Sequence, residues 1–486
     1  MWRDFIRQQA QNNGQKLAII DRLTNRCLTY DGLDHEINRW VRHLLQCGIK
    51  PANRVVYLAP NRLEHLTLFF ACTRLGAIFV PLNHRLAPRE LEQLVEHIEP
   101  GYFLGEAPCP FAATSGYDQI KEIDLTDGPT VDPLPLTGKE PLLMLFTSGS
   151  TGEPKGVLLH GDMLMANIQQ TLNSGVLLAN DISVVNTPFF HTGGYNVFCL
   201  PLLFIGGTLI LFDKFDPDGV LEAIDDEGVT VFWAVPTMFQ ALYESARFDK
   251  TDFSRIRFFL SGGAPLSLPL IQAYHKKGIP FKQGFGLTEV GPNCFLHETE
   301  ESYQHPDSIG RPMAQTLTKV VDDQGNPVAV GEIGELLLGG PHLCLGYWRK
   351  ETIFQHAMRG IYFATGDLVR LDESGLFYVV GRKNEMYISG GENIFPGEVE
   401  RQLIQHPGIS QAVVVSVADE KWSEVGFAFY VGTHPLRLAE VRAFLEPLLA
   451  RYKHPHHLFR LTQLPLLANG KIDRRQLKKM AKQALM

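Results

Sequence analysis

Short apolar runs suited to buried strands recur along the chain between longer segments of helical spacing, and that alternation restricts it to a layered α/β architecture. The runs are Val55-Val56-Tyr57-Leu58, Ala77-Ile78-Phe79-Val80, Leu142-Leu143-Met144-Leu145-Phe146, Thr230 to Val235 and Ile256 to Leu260. A chain of 486 residues exceeds what one hydrophobic core usually serves, so two or three domains are expected. From about residue 315 to 382 the texture changes to short strands broken by Gly, Asp and Asn turns, which predicts a smaller β subdomain. After Gly381-Arg382-Lys383-Asn384 a compact α+β pattern begins, with a helix expected around Pro396 to Gln405 and a strand at Ala412 to Val417. No internal repeat, low-complexity tract or coiled-coil heptad interrupts this order.

Charge and cysteine usage exclude several classes. A net charge of −8 with no long basic run argues against nucleic acid or an acidic membrane surface as the main partner. The seven cysteines are scattered and never form a Cys-x-x-Cys pair, so neither a disulfide framework nor a zinc site is supported. A reducing cytoplasm is the expected location. The polar start Met-Trp-Arg-Asp-Phe-Ile-Arg lacks the apolar core of a signal peptide. Gly193 to Phe212 is uncharged and about long enough to span a bilayer, but Asn196, Pro201 and Gly206-Gly207 break it. It reads as a buried helix, a turn and the strand Thr208 to Phe212, with no membrane span.

The segment most suggestive of chemistry is Thr147-Ser148-Gly149-Ser150-Thr151-Gly152-Glu153-Pro154-Lys155-Gly156. Its glycines let backbone N–H groups close on an anion, its hydroxyls add donors and Lys155 brings a mobile positive charge. Polyphosphate binding is the chemistry suggested; a flexible surface turn is the bland alternative. The spacing is not that of a Walker A loop, nor of the serine motifs of acyl-enzyme hydrolases. With the apolar run before it and a helical pattern from about Asp162, the expected order is strand, phosphate loop, helix.

Further segments follow in order: Ser261-Gly262-Gly263-Ala264-Pro265, Gly284-Phe285-Gly286-Leu287-Thr288-Glu289, Thr365-Gly366-Asp367, Gly381-Arg382 and Asn469-Gly470-Lys471. Each alone is weak. Together, over nearly the whole chain, they resemble the signature of the adenylate-forming superfamily of acyl-coenzyme A synthetases, peptide-synthetase adenylation domains and luciferases. The resemblance implies an N-terminal AMP-binding domain over 1–382, with the β subdomain at 315–382, a hinge at 383–384 and a small mobile C-terminal domain over 385–486. It implies ATP, Mg²⁺ and coenzyme A as cofactors and a small-molecule carboxylic acid as substrate.

Roles follow from the same resemblance. Thr147, Ser148, Gly149, Ser150, Thr151, Gly152 and Lys155 would hold the outer phosphates. Gly262, Gly263, Ala264 and Gly286 would let backbone approach the nucleotide, and Phe285 would stack on adenine. Thr288 would bond the α-phosphate and Glu289 the metal. Asp367 would accept from the ribose hydroxyls, and Arg382 would contact ribose or phosphate. Lys471 would meet the carboxylate and α-phosphate as charge develops there. After rotation of the small domain, Ser389, Gly390 and Gly391 would line the path of the thiol. Two departures stand out: Asn384 occupies a hinge position usually held by Asp or Lys, and Leu464-Pro465 is followed by apolar Leu466-Leu467 where many relatives carry a base.

His191 sits where amino-acid-activating relatives carry an Asp, which argues against an amino acid substrate; by resemblance it lines the acyl pocket near the carboxylate. The alternative is a buried histidine satisfied by hydrogen bonds. Acetate-activating relatives have Trp at the position of Gly286, which implies a deeper pocket here. Expected walls are Tyr195, Val197, Trp233, Val235, Gly286, Pro292 and Asn293, with Asn293 placed to bond a ring hydroxyl. The wall segments carry no Lys or Arg, so a second carboxylate would be buried unpaired and a neutral aromatic or medium-to-long aliphatic acid is favoured. His454-Pro455-His456-His457 reads as a surface loop without metal. An acyl-AMP ligase that loads a carrier protein and a silent nucleotide- or acid-binding homologue stay as alternatives, and a homo-oligomer stays open.

Overall fold

The computed structural model describes residues 2, 4–111, 117–148, 154–264, 266–390, 392–467 and 471–485. Three sheets build the large lobe. The widest runs in the order Gly346–Tyr347, Pro154–His160, Pro141–Ser148, Ile78–Leu82, Arg54–Leu58, Tyr102–Gly105, Tyr117–Gln119. Its central strands are parallel and buried on both faces, as their unbroken Val, Ile, Phe and Leu content requires. A second sheet orders Arg26–Thr29, Leu17–Asp21, Thr208–Leu211 and Ile182–Val185, so Ile19 lies opposite Leu209. The third sets Val231–Ala234, Phe258–Ser261 and Phe281–Leu287 in parallel, then Gly291–Leu296 and Arg311–Pro312 antiparallel.

Helices cover these sheets with apolar faces of 3–4 residue spacing. In Tyr30–Gln46, Leu33, Ile37, Trp40, Val41 and Leu44 are buried, and Thr29 caps the start by accepting from the Gly32 N–H at 3.2 Å. Each such side chain contributes about 2 kcal/mol through burial. Glu64–Leu75 is buried along its length and ends at Gly76, whose φ of +63° forms a left-handed cap.

Residues 317–382 form a separate antiparallel sheet in which Tyr362–Leu371 pairs with Ile333–Gly339 and Phe377–Arg382. The C-terminal residues build a fifth sheet around Gln411–Asp419 and Ser423–Val431. Alternation along these two strands divides the lobe into two cores. Ala412, Val414, Ala428 and Tyr430 pack under helices Pro396–Leu403 and Leu438–Leu445. Val413, Val415, Phe427 and Phe429 pack under Arg474–Ala484.

Gly193 to Phe212 folds as helices Thr192–Asn196 and Cys199–Ile205 followed by strand Thr208–Leu211, all buried within the lobe. Among the described residues no helix is long and apolar enough to cross a membrane. Two expectations need correction. The helix begins at Gly161, within a residue of the Asp162 expected, but the order strand, phosphate loop, helix lacks one element: Pro154–His160 is a strand antiparallel to Pro141–Ser148. Val157-Leu158-Leu159 satisfies a strand edge that the Pro-Lys-Gly beginning conceals. Nor is 454–457 a surface loop. His454 is buried with Nε2 3.0 Å from the Leu449 carbonyl, and His457 begins strand His457–Leu461 and stacks on Phe427.

Candidate active site

Residues at the ends of several large-lobe strands come into electrostatic contact with Lys471 of the small lobe. One wall of the site is the hairpin Pro141–Ser148/Pro154–His160, in which Thr147 pairs with Lys155. Gly149, Ser150, Thr151, Gly152 and Glu153, with the side chain of Ser148, lie outside the described residues, as do Pro265, Gly391, Asn469 and Gly470. Lys155 Nζ stands 5.0 Å from the ring centroid of Tyr347.

A second wall forms at the carboxyl ends of the parallel strands of the third sheet, where ligands bind in open α/β sheets. A Cβ at Gly262 would crowd the Trp233 ring at 3.1 Å and the Gly284 carbonyl oxygen at 3.2 Å. Gly263 adopts φ +82° beside exposed Ala264. Phe285 stands edge-on to Phe295, half-exposed. Thr288 and Glu289 occupy the turn between Phe281–Leu287 and Gly291–Leu296, and Glu289 Oε1 accepts from the Tyr347 hydroxyl at 2.9 Å.

Asp367 and Arg382 face each other across paired strands, with Arg382 Nε 2.8 Å from Asp367 Oδ1. The second oxygen, Oδ2, is buried without a hydrogen-bond partner among the described residues. Burial pushes the Asp367 carboxyl up to about 6, against the downward pull of Arg382 and Lys471. An aspartate left with one open acceptor at this site fits a hydroxyl-bearing ligand.

The small lobe delivers Lys471 to the same place. Its loop is closed by Leu467 N–H donating to the Lys471 carbonyl at 2.7 Å and Asp473 N–H to the Pro465 carbonyl at 2.8 Å. Lys471 keeps an exposed flank, yet the protein around it lowers its pKa, first by desolvation and then through Arg382; Glu289 and Asp367 pull the other way. Residues 289, 367, 382 and 471, scattered in sequence, are thus in electrostatic contact.

The Ser389–Gly390 segment belongs to the small lobe's sheet. Ser389 is buried and pairs with Ser423, and the Gly390 N–H donates to the Trp422 carbonyl at 2.9 Å. Gly390 has φ +59°, and a Cβ would lie 2.7 Å from the indole of Trp422.

The expected acyl walls are only partly realised. Trp233 is half-buried, with Nε1 donating to the Gly193 carbonyl at 3.1 Å and its ring pressed where a Gly193 Cβ would be. His191 precedes helix Thr192–Asn196 and is half-buried, its ring edge-on to Phe190. Val235 and Pro292 are likewise half-buried. Tyr195, however, is fully buried and spends its hydroxyl on the His65 carbonyl at 3.0 Å, so it belongs to the core. Val197 is buried, and Asn293 commits its amide nitrogen to Thr171 Oγ1 and the carbonyls of Asn196 and Val197, so it has no donor left for a ring hydroxyl. Gly286 does not open onto pocket depth: a Cβ there would strike the carbonyl oxygens of Pro292 at 2.3 Å and Gly291 at 2.4 Å. Tyr347 escaped the sequence reading; its only signal was an aromatic pair after Gly346.

Two family models cover the chain. The AMP-binding enzyme model matches residues 6–348, and the AMP-binding enzyme C-terminal domain model matches 398–471. The chain belongs to the AMP-binding enzyme family. Within it, the relatives are acid–coenzyme A ligases. The chain is 36% identical to a feruloyl-CoA synthase of Amycolatopsis sp over 453 residues, 92% of each chain. It is 33% identical to an indoleacetate–CoA ligase of Aromatoleum aromaticum over 498 residues, 98% of this chain and 97% of that one. Among solved structures it resembles an o-succinylbenzoate coenzyme A synthetase from Bacillus subtilis in complex with ATP and magnesium ion, at 28% identity and TM-score 0.88, covering 98% of this chain and 99% of that one. This AMP-binding enzyme is therefore an acid–thiol ligase of the AMP-forming kind, working with ATP, Mg²⁺ and coenzyme A.

The site residues fit that chemistry. Among the described residues no group of three or more His, Cys, Asp or Glu could hold a metal ion, and Glu289 bonds Tyr347, whose ring also contacts Lys155 of the phosphate hairpin. One carboxylate fits Mg²⁺, which Glu289 would hold and which would supply charge neutralisation at the phosphates.

Proposed function

We propose that this AMP-binding enzyme activates a neutral aromatic carboxylic acid as its adenylate and transfers the acyl group to coenzyme A, releasing pyrophosphate and AMP. The observation that carries the reading is the meeting of Lys471 with Asp367, Arg382 and Glu289 across the lobes. Lys471 is a compact cation placed to stabilise charge as the carboxylate attacks the α-phosphate. Asp367 and Arg382 would hold the ribose, Thr288 would bond the α-phosphate, and Glu289 would hold a Mg²⁺ that supplies charge neutralisation during the displacement. His191 and Trp233 would flank the acyl group, with the Trp233 ring packed against the bare backbone of Gly193 and Gly262. Relatives named for feruloyl and indoleacetate substrates support an aromatic acid.

The hinge lies at 383–384. Lys383 is bound to Asp323 at 3.0 Å and Glu335 at 2.9 Å, both in the β subdomain, whereas Glu385 is bound to Arg474 of the small lobe. Rotation about Asn384 would withdraw Lys471 and bring the Ser389–Gly390–Gly391 segment to the adenylate for thiol entry. The test is ATP–pyrophosphate exchange over a panel of aromatic, aliphatic, amino and dicarboxylic aromatic acids, followed by AMP release with and without coenzyme A. Exchange supported best by an amino acid, or AMP release indifferent to coenzyme A, would overturn the reading.

A further inference from the structure

We propose that Tyr347 is a positioning residue for adenylation: its hydroxyl aims the Glu289 carboxylate at the metal, and its ring seats the Lys155 ammonium beside it. The inference rests on the metal and phosphate roles proposed above for Glu289 and Lys155. Tyr347 is buried, and its hydroxyl lies 2.9 Å from Glu289 Oε1. The hydroxyl must be the donor, because an ionised carboxylate only accepts. Fixing one carboxylate oxygen leaves the other to turn toward a cation, as outer partners of metal ligands do. On the ring face, Lys155 Nζ at 5.0 Å is within cation–π reach. A ring quadrupole holds an ammonium more weakly than phosphate oxyanions do, so the seat keeps the lysine near without retaining it.

The backbone reinforces this arrangement. Tyr347 pairs with Val157 of the phosphate hairpin, and the Trp348 N–H donates to the Gly156 carbonyl at 2.7 Å. Three residues earlier, the Cys344 N–H donates to the Glu289 carbonyl at 2.8 Å. One short strap therefore ties the phosphate hairpin to the turn that carries Glu289, with Tyr347 at its centre. A tyrosine that merely filled space would influence stability and leave metal dependence alone.

The experiment is calorimetric titration of wild type, Y347F and Y347L with ATP in excess Mg²⁺ and with ATP in EDTA, alongside thermal melting. Wild type should bind ATP more tightly with Mg²⁺. Y347F, which keeps the ring and loses the hydroxyl, should bind metal-free ATP like wild type but lose about tenfold or more of the gain that Mg²⁺ adds, the scale of one hydrogen bond to a charged group. Y347L should lose that gain as well, so a folding failure of either variant leaves the other to decide. An unchanged gain in Y347F, or equal weakening with and without Mg²⁺ accompanied by a lower Tm, would overturn the proposal. Absence of any Mg²⁺ gain in wild type would instead strike the assignment of Glu289 to the metal.

Discussion

Glu385 Oε2 lies 3.2 Å from Arg474 Nε, which ties the start of the small lobe to the helix that follows Lys471. Arg474 also bonds Glu400 at 2.8 Å, so the segment after Lys471, helix Pro396–Leu403 and the proposed hinge's far side are tied together. On the near side Lys383 is held by Glu335. Exposed Asn384 is the residue between them. Asn384→Pro should stiffen this joint by fixing φ. Pyrophosphate exchange should stay within about threefold of wild type, while thioester formation should fall about a hundredfold, as expected when a domain motion is blocked. Equal loss of both, measured by exchange and single-turnover thioester assays, would place the pivot elsewhere.

Lys471→Ala should reduce adenylate formation by about a hundred- to a thousandfold, the scale of removing one group that stabilises developing charge. Thioester formation from supplied acyl-adenylate should survive if, as proposed, the lysine acts only in the lobe orientation described here. Single-turnover assays of the two half-reactions distinguish this from a general loss.

The proposed ribose contact of Asp367 would link ligand binding to pH. Its carboxyl is raised from an ordinary value near 3.8 to about 6, with burial as the first cause. The folded state therefore binds this proton more readily than the unfolded one, so its contribution to stability is full below about pH 4 and is lost as pH rises through 6. The change corresponds to about 3 kcal/mol. Ribose hydroxyls donating to the ionised carboxylate would lower the pKa again. Adenosine binding should accordingly release a proton near pH 6 and weaken below it. Calorimetry in buffers of different ionisation enthalpy reads the proton, and Asp367→Asn should abolish it.

Gly286→Ala should impair the enzyme toward every acid alike. The added Cβ strikes backbone carbonyls of the adjacent strand, which cannot move away as a flexible side chain could. A loss of about 1–3 kcal/mol is expected, typical of overpacking. Urea denaturation measures it; an undiminished midpoint with selective loss of large acids would restore Gly286 as a gauge of pocket depth.

The sequence exposed what depends on local pattern. Buried parallel strands such as Arg54–Leu58 and Ile78–Leu82 declare themselves by apolar runs, and Asp367 and Arg382 by motifs whose register then sets them face to face. What depends on packing direction was hidden. Tyr195 stands one helical turn from His191, and nothing in their spacing reveals that the tyrosine turns into the core. Gly286 looked like open space, although its missing side chain points at a neighbouring strand. Tyr347 was invisible because Lys155 and Glu289, which give it meaning, lie far away along the chain.

The pairing of Val157 with Tyr347 also has a consequence for synthesis on the ribosome. At about 5–20 residues per second, the edge of the phosphate hairpin emerges roughly ten to forty seconds before the strand that covers it. During that interval it offers unpaired N–H and C=O groups to any passing nascent chain. Pro154 and Lys155 open this edge, one without a donor and the other charged. Lys155, proposed to hold the nucleotide's outer phosphates in the finished enzyme, would with Pro154 also guard the unfinished one against sticking to its neighbours.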